Sequence, residues 1–175
     1  LITSGSGQGI ELINEILLDA GDTVIVESFT FSGALSNLRR RGVNFVGVDV
    51  DQKGIRMDHL KDILEDLRRN GIRPKYIYTI PTLQNPTGTV MTMERRYQLI
   101  NLSEEYEVPI FEDECYADLI FEGGYEKAIR SLDDSNRVLH IGSFSKSLGP
   151  GLRLGYVVAS WDVMSRLISR KNDAG

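Results

Sequence analysis

Lys146 closes the run Ser143-Phe144-Ser145-Lys146, and Arg153 is centred in Gly151-Leu152-Arg153-Leu154-Gly155. Asp113 and Tyr116 follow the apolar run Val108-Pro109-Ile110-Phe111, and Asn85 opens Asn85-Pro86-Thr87-Gly88. Near the start, Gly5-Ser6-Gly7-Gln8 leads into a stretch of helical periodicity, and Phe31 comes soon after the strand-like run Thr23-Val24-Ile25-Val26-Glu27. A primary amine can attack a carbonyl and then serve as a base. A glycine-rich turn at a helix start offers an anion free N–H groups and the positive end of the helix dipole. The hydroxyls of Ser143 and Ser145 extend such a cradle, and Arg153 adds a charge-assisted, bidentate contact that a hydroxyl cannot supply. A carboxylate placed just after an apolar strand is partly buried and requires a cation or donors. The set therefore offers an anion cradle, a stacking plate, partners for a planar cationic ring and an amine nucleophile.

Taken singly, each of these residues has a plainer reading. A lysine after Ser-Phe-Ser is usually a solvated surface residue, and Asp113 would suit a helix N-cap. Asn-Pro-Thr-Gly has the composition of an ordinary turn, Tyr116 alone reads as core or surface, and Arg153 alone reads as surface. A dinucleotide site also competes, because Gly5-x-Gly7 opens a helix and Glu27 ends the next strand 20 residues after Gly7. Its third glycine would fall at position 10, which is Ile10, and it leaves Asn85, Asp113, Lys146 and Arg153 without a task.

The elements that must position these groups are visible in the hydropathy pattern. Segments 23–27, 44–48, 75–80, 109–112, 137–141 and 155–159 read as strands, and 8–19, 31–40, 58–69, 92–106 and 161–171 as helices. Asp58 is the expected N-cap of the third helix, with Leu60, Ile63, Leu64 and Leu67 on one face and Gly71 as its stop. Alternating strands and helices predict an α/β fold, a three-layer α/β/α arrangement around a mainly parallel sheet. Ligands of such sheets gather beyond the carboxyl ends of the strands, where all the candidate residues lie.

At 175 residues and 41% hydrophobic content the chain suits one domain with a sizeable core. A net charge of −5 argues against nucleic acid or an anionic membrane as partner. The single cysteine, Cys115, excludes an internal disulfide, and the isolated His59 and His140 make no metal cluster. No apolar run approaches the ~20 residues of a membrane span, so a soluble, cytoplasmic protein is expected.

The motif order Gly-Ser-Gly-Gln, Asn-Pro-Thr-Gly, Asp-x-x-Tyr, Ser-x-Ser-Lys, Gly-Leu-Arg-Leu-Gly resembles the fold type I pyridoxal-5′-phosphate (PLP) enzymes. Among them the chain is most similar to the class I/II aminotransferases, in the branch of the α-aminoadipate and kynurenine aminotransferases and the enzyme-like domains of MocR regulators. The resemblance implies that Lys146 carries PLP as a Schiff base and then moves a proton between substrate Cα and cofactor C4′. It implies that Asp113 pairs with the pyridinium N1, and that Asn85 and Tyr116 hydrogen-bond O3′. Ser6, Gly7, Gln8, Ser143, Ser145 and Arg153 would hold the phosphate. Phe31, where relatives commonly carry Tyr, would stack on the ring, with Phe29 one strand alternation away as its competitor.

The same resemblance implies amino acid and 2-oxo acid substrates and a homodimer. Residues 1–175 would be the large PLP-binding domain of a longer protein, with an N-terminal arm and a small C-terminal domain outside the chain. Decarboxylases, β-lyases and the effector domain of a MocR-type regulator share every motif named, and stand as alternatives to an aminotransferase.

Overall fold

The computed structural model describes every residue except 122, 123, 125, 174 and 175. In chain order the elements are β1 (Ile2–Thr3), α1 (Ser6–Leu17), β2 (Thr23–Glu27), α2 (Ser32–Arg40), β3 (Asn44–Val48), β4 (Val50–Asp51), β5 (Gly54–Ile55), α3 (Met57–Arg69), β6 (Ile77–Thr79), α4 (Met93–Tyr106), β7 (Ile110–Glu114), β8 (Val138–Ser143), β9 (Gly155–Val158) and α5 (Trp161–Asp173). A seven-stranded sheet runs in the order β1-β9-β8-β7-β6-β2-β3. The strands β3, β2, β6, β7 and β8 pair in parallel, and β9 is antiparallel to both β8 and β1.

Strand alternation divides the core into two layers. Val24, Val26, Tyr76, Tyr78, Phe111, Leu139 and Ile141 pack against α1, α2 and α5, whereas Ile25, Ile77, Ile110 and Val138 pack against α3 and α4. The sheet is therefore covered on both faces, as parallel sheets require, and the three-layer expectation holds. Strands β2 and β3 match their predicted bounds. Strand β6 is shorter than segment 75–80, and α1 begins at Ser6 rather than at residue 8. The two-residue strand β1 and the β4–β5 hairpin are too short to show a period of their own. Asp58 is not the N-cap of α3: Arg56 takes that place, and Asp58 lies in the first turn, where it forms an ion pair with Arg56. A carboxylate there still favours the helix through the macrodipole. Among the described residues no helix is long and apolar enough to cross a membrane.

Candidate active site at the carboxyl rim of the sheet

Because β2, β6, β7 and β8 are parallel, their C-terminal ends share one rim. Strand β9 runs the other way, so its first residue, Gly155, pairs with Ser143, the last of β8, and Thr3 pairs with Gly155 from the far side. This reversal delivers Arg153 and the start of α1 to the same rim. A cleft of about 250 Å³ opens there, lined by Ser6, Phe31, Asp113, Tyr116, Ser145, Lys146 and Arg153 among others. That volume is near the lower end of small-molecule pockets. A larger cavity of about 340 Å³ lies between the C-terminal ends of α3 and α4, at residues such as Arg68, Ile72 and Tyr106, far from these groups in the fold.

Asp113 is a strand residue of β7 and not a helix cap. Sharing the parity of Phe111, it projects to the α1 side of the sheet, the side of Tyr78. The Tyr78 hydroxyl donates to Asp113 Oδ2 at 2.7 Å, and the Cys115 backbone N–H donates to Oδ1 at 3.2 Å. Among the described residues no ion pair reaches this carboxylate, which is only 3% exposed. Burial holds its pKa above the ordinary aspartate value. A cationic ring nitrogen would offset that cost, so the site fits a pyridinium. The Tyr78 ring is itself set by an edge contact with Phe111, 5.4 Å between centroids at 90°.

Across the cleft, Lys146 is exposed in the turn after β8, with Nζ 5.6 Å from the centre of the Tyr116 ring. The Tyr116 hydroxyl accepts from Asn85 Nδ2 at 3.3 Å, so Asn85 and Tyr116 meet although 31 residues separate them. Phe31 is the N-cap residue of α2 and lines the cleft; Phe29, 64% exposed, does not.

The start of α1 has no side-chain cap, which leaves its first N–H groups open to an anion. Gly5 sits at φ 79°, and a Cβ on it would meet Arg153 Nη2 at 2.8 Å. The positive φ of the turn is what calls for glycine here. Arg153 donates to the Ser4 carbonyl at 3.3 Å, and no carboxylate pairs with it among the described residues. Ser143 Oγ accepts from the Ser145 N–H at 3.2 Å. The Gln8 side-chain Oε1 accepts the Ser4 N–H at 2.8 Å, just before the helix start. Neither Gln8 nor Gly7 contributes to the cleft wall.

Tyr78 and Cys115, which no motif singles out, both lie at the base of the site against Asp113. Tyr78 was legible through parity, since it alternates with Ile77 in β6 and faces the layer that Asp113 faces. Glu27, the acidic residue that a dinucleotide site would have aimed at a ribose, is buried on the other face of the sheet. It accepts from Thr79, the Ile80 N–H and Gln84, and burial pushes its pKa up to about 7.

The model of the family "Aminotransferase class I and II" matches residues 1–173. An uncharacterized aminotransferase of Saccharolobus solfataricus is 41% identical over 166 residues, which cover 95% of this chain and 41% of that protein. Two solved structures are each 36% identical and cover 99% of this chain and 43% of theirs: the multiple substrate aminotransferase of Thermococcus profundus, at a TM-score of 0.96, and the kynurenine aminotransferase of Pyrococcus horikoshii in complex with PMP, at 0.94. The chain thus spans about two fifths of the length of such relatives. With a match running nearly end to end, the chain belongs to the class I and II aminotransferases.

Proposed function

We propose that this chain is the large cofactor-binding domain of a PLP-dependent aminotransferase that moves an amino group from an α-amino acid to a 2-oxo acid. The observation that carries the reading is the meeting, at one rim, of an amine (Lys146), a buried carboxylate without a cation (Asp113) and an uncapped helix start overlaid by Arg153. Bound PLP supplies an electron sink for the bond broken at substrate Cα. Lys146 holds the cofactor covalently and, once released by substrate, its Nζ carries the proton that leaves Cα. Asp113 keeps a proton on the ring nitrogen. Asn85 and Tyr116 orient O3′, Phe31 covers the ring face, and Ser6, Gly7, Gln8, Ser143, Ser145 and Arg153 hold the phosphate.

Exposed Phe29, Leu148 and Leu152 near the cleft support a homodimer that closes the site. The protein is proposed to be cytoplasmic. A screen of amino donors, aromatic amino acids and kynurenine among them, against 2-oxoglutarate and pyruvate tests the reading on the full-length protein. We expect turnover with at least one pair. Bound PLP without turnover of any donor would favour an effector-sensing domain instead.

Arg153 provides a quantitative check. Loss of one charge-assisted hydrogen bond costs roughly 1.5–3 kcal/mol, or about one to two decades in affinity. Arg153→Ala should weaken PLP retention by that much and leave the absorbance of the bound cofactor nearly unchanged, because the guanidinium faces the anion cradle and not the ring. Equilibrium dialysis reads the first and a spectrum the second; an unaltered PLP affinity would remove Arg153 from the cradle.

A further inference from the structure

Gln84 has every polar group engaged. Its backbone N–H donates to the Thr89 carbonyl at 2.8 Å, and its carbonyl accepts the Gly88 N–H at 2.6 Å. Its side-chain Oε1 accepts from the Thr87 N–H at 2.8 Å and from Thr87 Oγ1 at 2.7 Å. Its Nε2 donates to Glu27 Oε2 at 2.8 Å and to the Phe29 carbonyl at 2.5 Å. One buried amide therefore closes the turn that carries Asn85 and ties it to the end of β2 and to the bend at Phe29 that leads into Phe31. Glu27, buried at the last position of β2, is anchored in turn by Thr79 Oγ1 at 2.6 Å and the Ile80 N–H at 3.2 Å. Neither Glu27 nor Gln84 lines the cleft.

We propose that the Glu27–Gln84 pair is a positioning device, which fixes the Asn85 amide and the Phe31 plate relative to each other. The proposal rests on the reading of the cleft as the PLP site. Two segments that would otherwise be independent surface loops share a single donor, so moving the Gln84 amide displaces both. The pair is also directional. In its ionised form Glu27 offers only acceptors to Gln84 Nε2, and Gln84 uses its remaining oxygen on Thr87. An amide at 84 and a carboxylate at 27 satisfy the set, and two carboxylates cannot.

The test is the pH titration of the absorbance of PLP bound to the full-length protein. Asn85 Nδ2 would share the charge on O3′; without it O3′ holds the neighbouring proton more firmly, and the midpoint rises. Asn85→Ala sets the scale, with an expected rise of about one pH unit, the equivalent of one hydrogen bond. Gln84→Glu, which puts two carboxyl groups face to face, should reproduce that rise with an unchanged far-UV spectrum. Glu27→Gln, which sets two amide donors face to face and adds no charge, should raise the midpoint as well. If Asn85→Ala shifts the midpoint while folded Gln84→Glu does not, the positioning role is overturned and the PLP site stands. If Asn85→Ala itself does nothing, the O3′ assignment fails. Should Gln84→Glu not fold, Glu27→Gln decides: a raised midpoint supports the device, and a wild-type one overturns it.

Discussion

Lys146→Ala is expected to abolish covalent attachment of PLP and to reduce amino transfer to background, with the fold intact. The side chain is exposed and contributes to neither core layer, and its one described contact is with the Tyr116 ring at 5.6 Å. Its removal leaves no buried group unsatisfied, so thermal unfolding should move by less than a surface substitution typically allows, about 0.5 kcal/mol. The loss of function should be larger than the 10²–10⁴ usual for a single general base, since the attachment point disappears together with the base. Borohydride reduction of the loaded wild-type protein followed by peptide mapping locates the label. A label on any other lysine, or a variant that stays covalently yellow, would refute the assignment.

The second large effect is expected at Asp113. In the strand β7 the carboxylate has no helix to cap, so the structural role that Asn could inherit is limited to accepting from Tyr78 and the Cys115 N–H. Asn accepts one and can donate to the other, and Asp113→Asn should fold normally. The charge is what disappears. At about 3 Å and an effective dielectric near 20, a carboxylate and a ring cation interact by roughly 5 kcal/mol. If most of that is expressed while Cα gives up its proton, the half-reaction with an amino acid slows on the order of a thousandfold or more. Single-turnover conversion of bound PLP to its amino form, at saturating cofactor, separates slowed chemistry from weakened binding. Near wild-type conversion by the Asn variant would deny Asp113 this role.

The parts of this site that local sequence could specify are those whose geometry is local. Strand alternation places Asp113 on one face of the sheet and Glu112 and Glu114 on the other, and the Gly5-Ser6 turn leads directly into a helix start without a side-chain cap. The layer architecture follows from the same periodicity, which is why the α/β expectation and the bounds of β2 and β3 agree with the structure. Contacts that depend on strand order were not legible in that way. Glu27 meets Gln84 across 57 residues because β6, not a sequence neighbour, lies beside β2. Arg153 reaches the start of α1, 149 residues from Ser4, because β9 turns antiparallel between β8 and β1. Tyr78, Phe111 and Asp113 form one buried cluster only once β6 and β7 are adjacent. Phe31, chosen over Phe29 from the motif resemblance, lines the cleft because it caps α2, and Phe29 does not line it. Local period thus determined the layers and the rim, and the ordered motifs pointed to a chemistry through their resemblance to the aminotransferases. The pairing of distant strands decided which side chains face one another, because those contacts form only when non-local segments are brought into register.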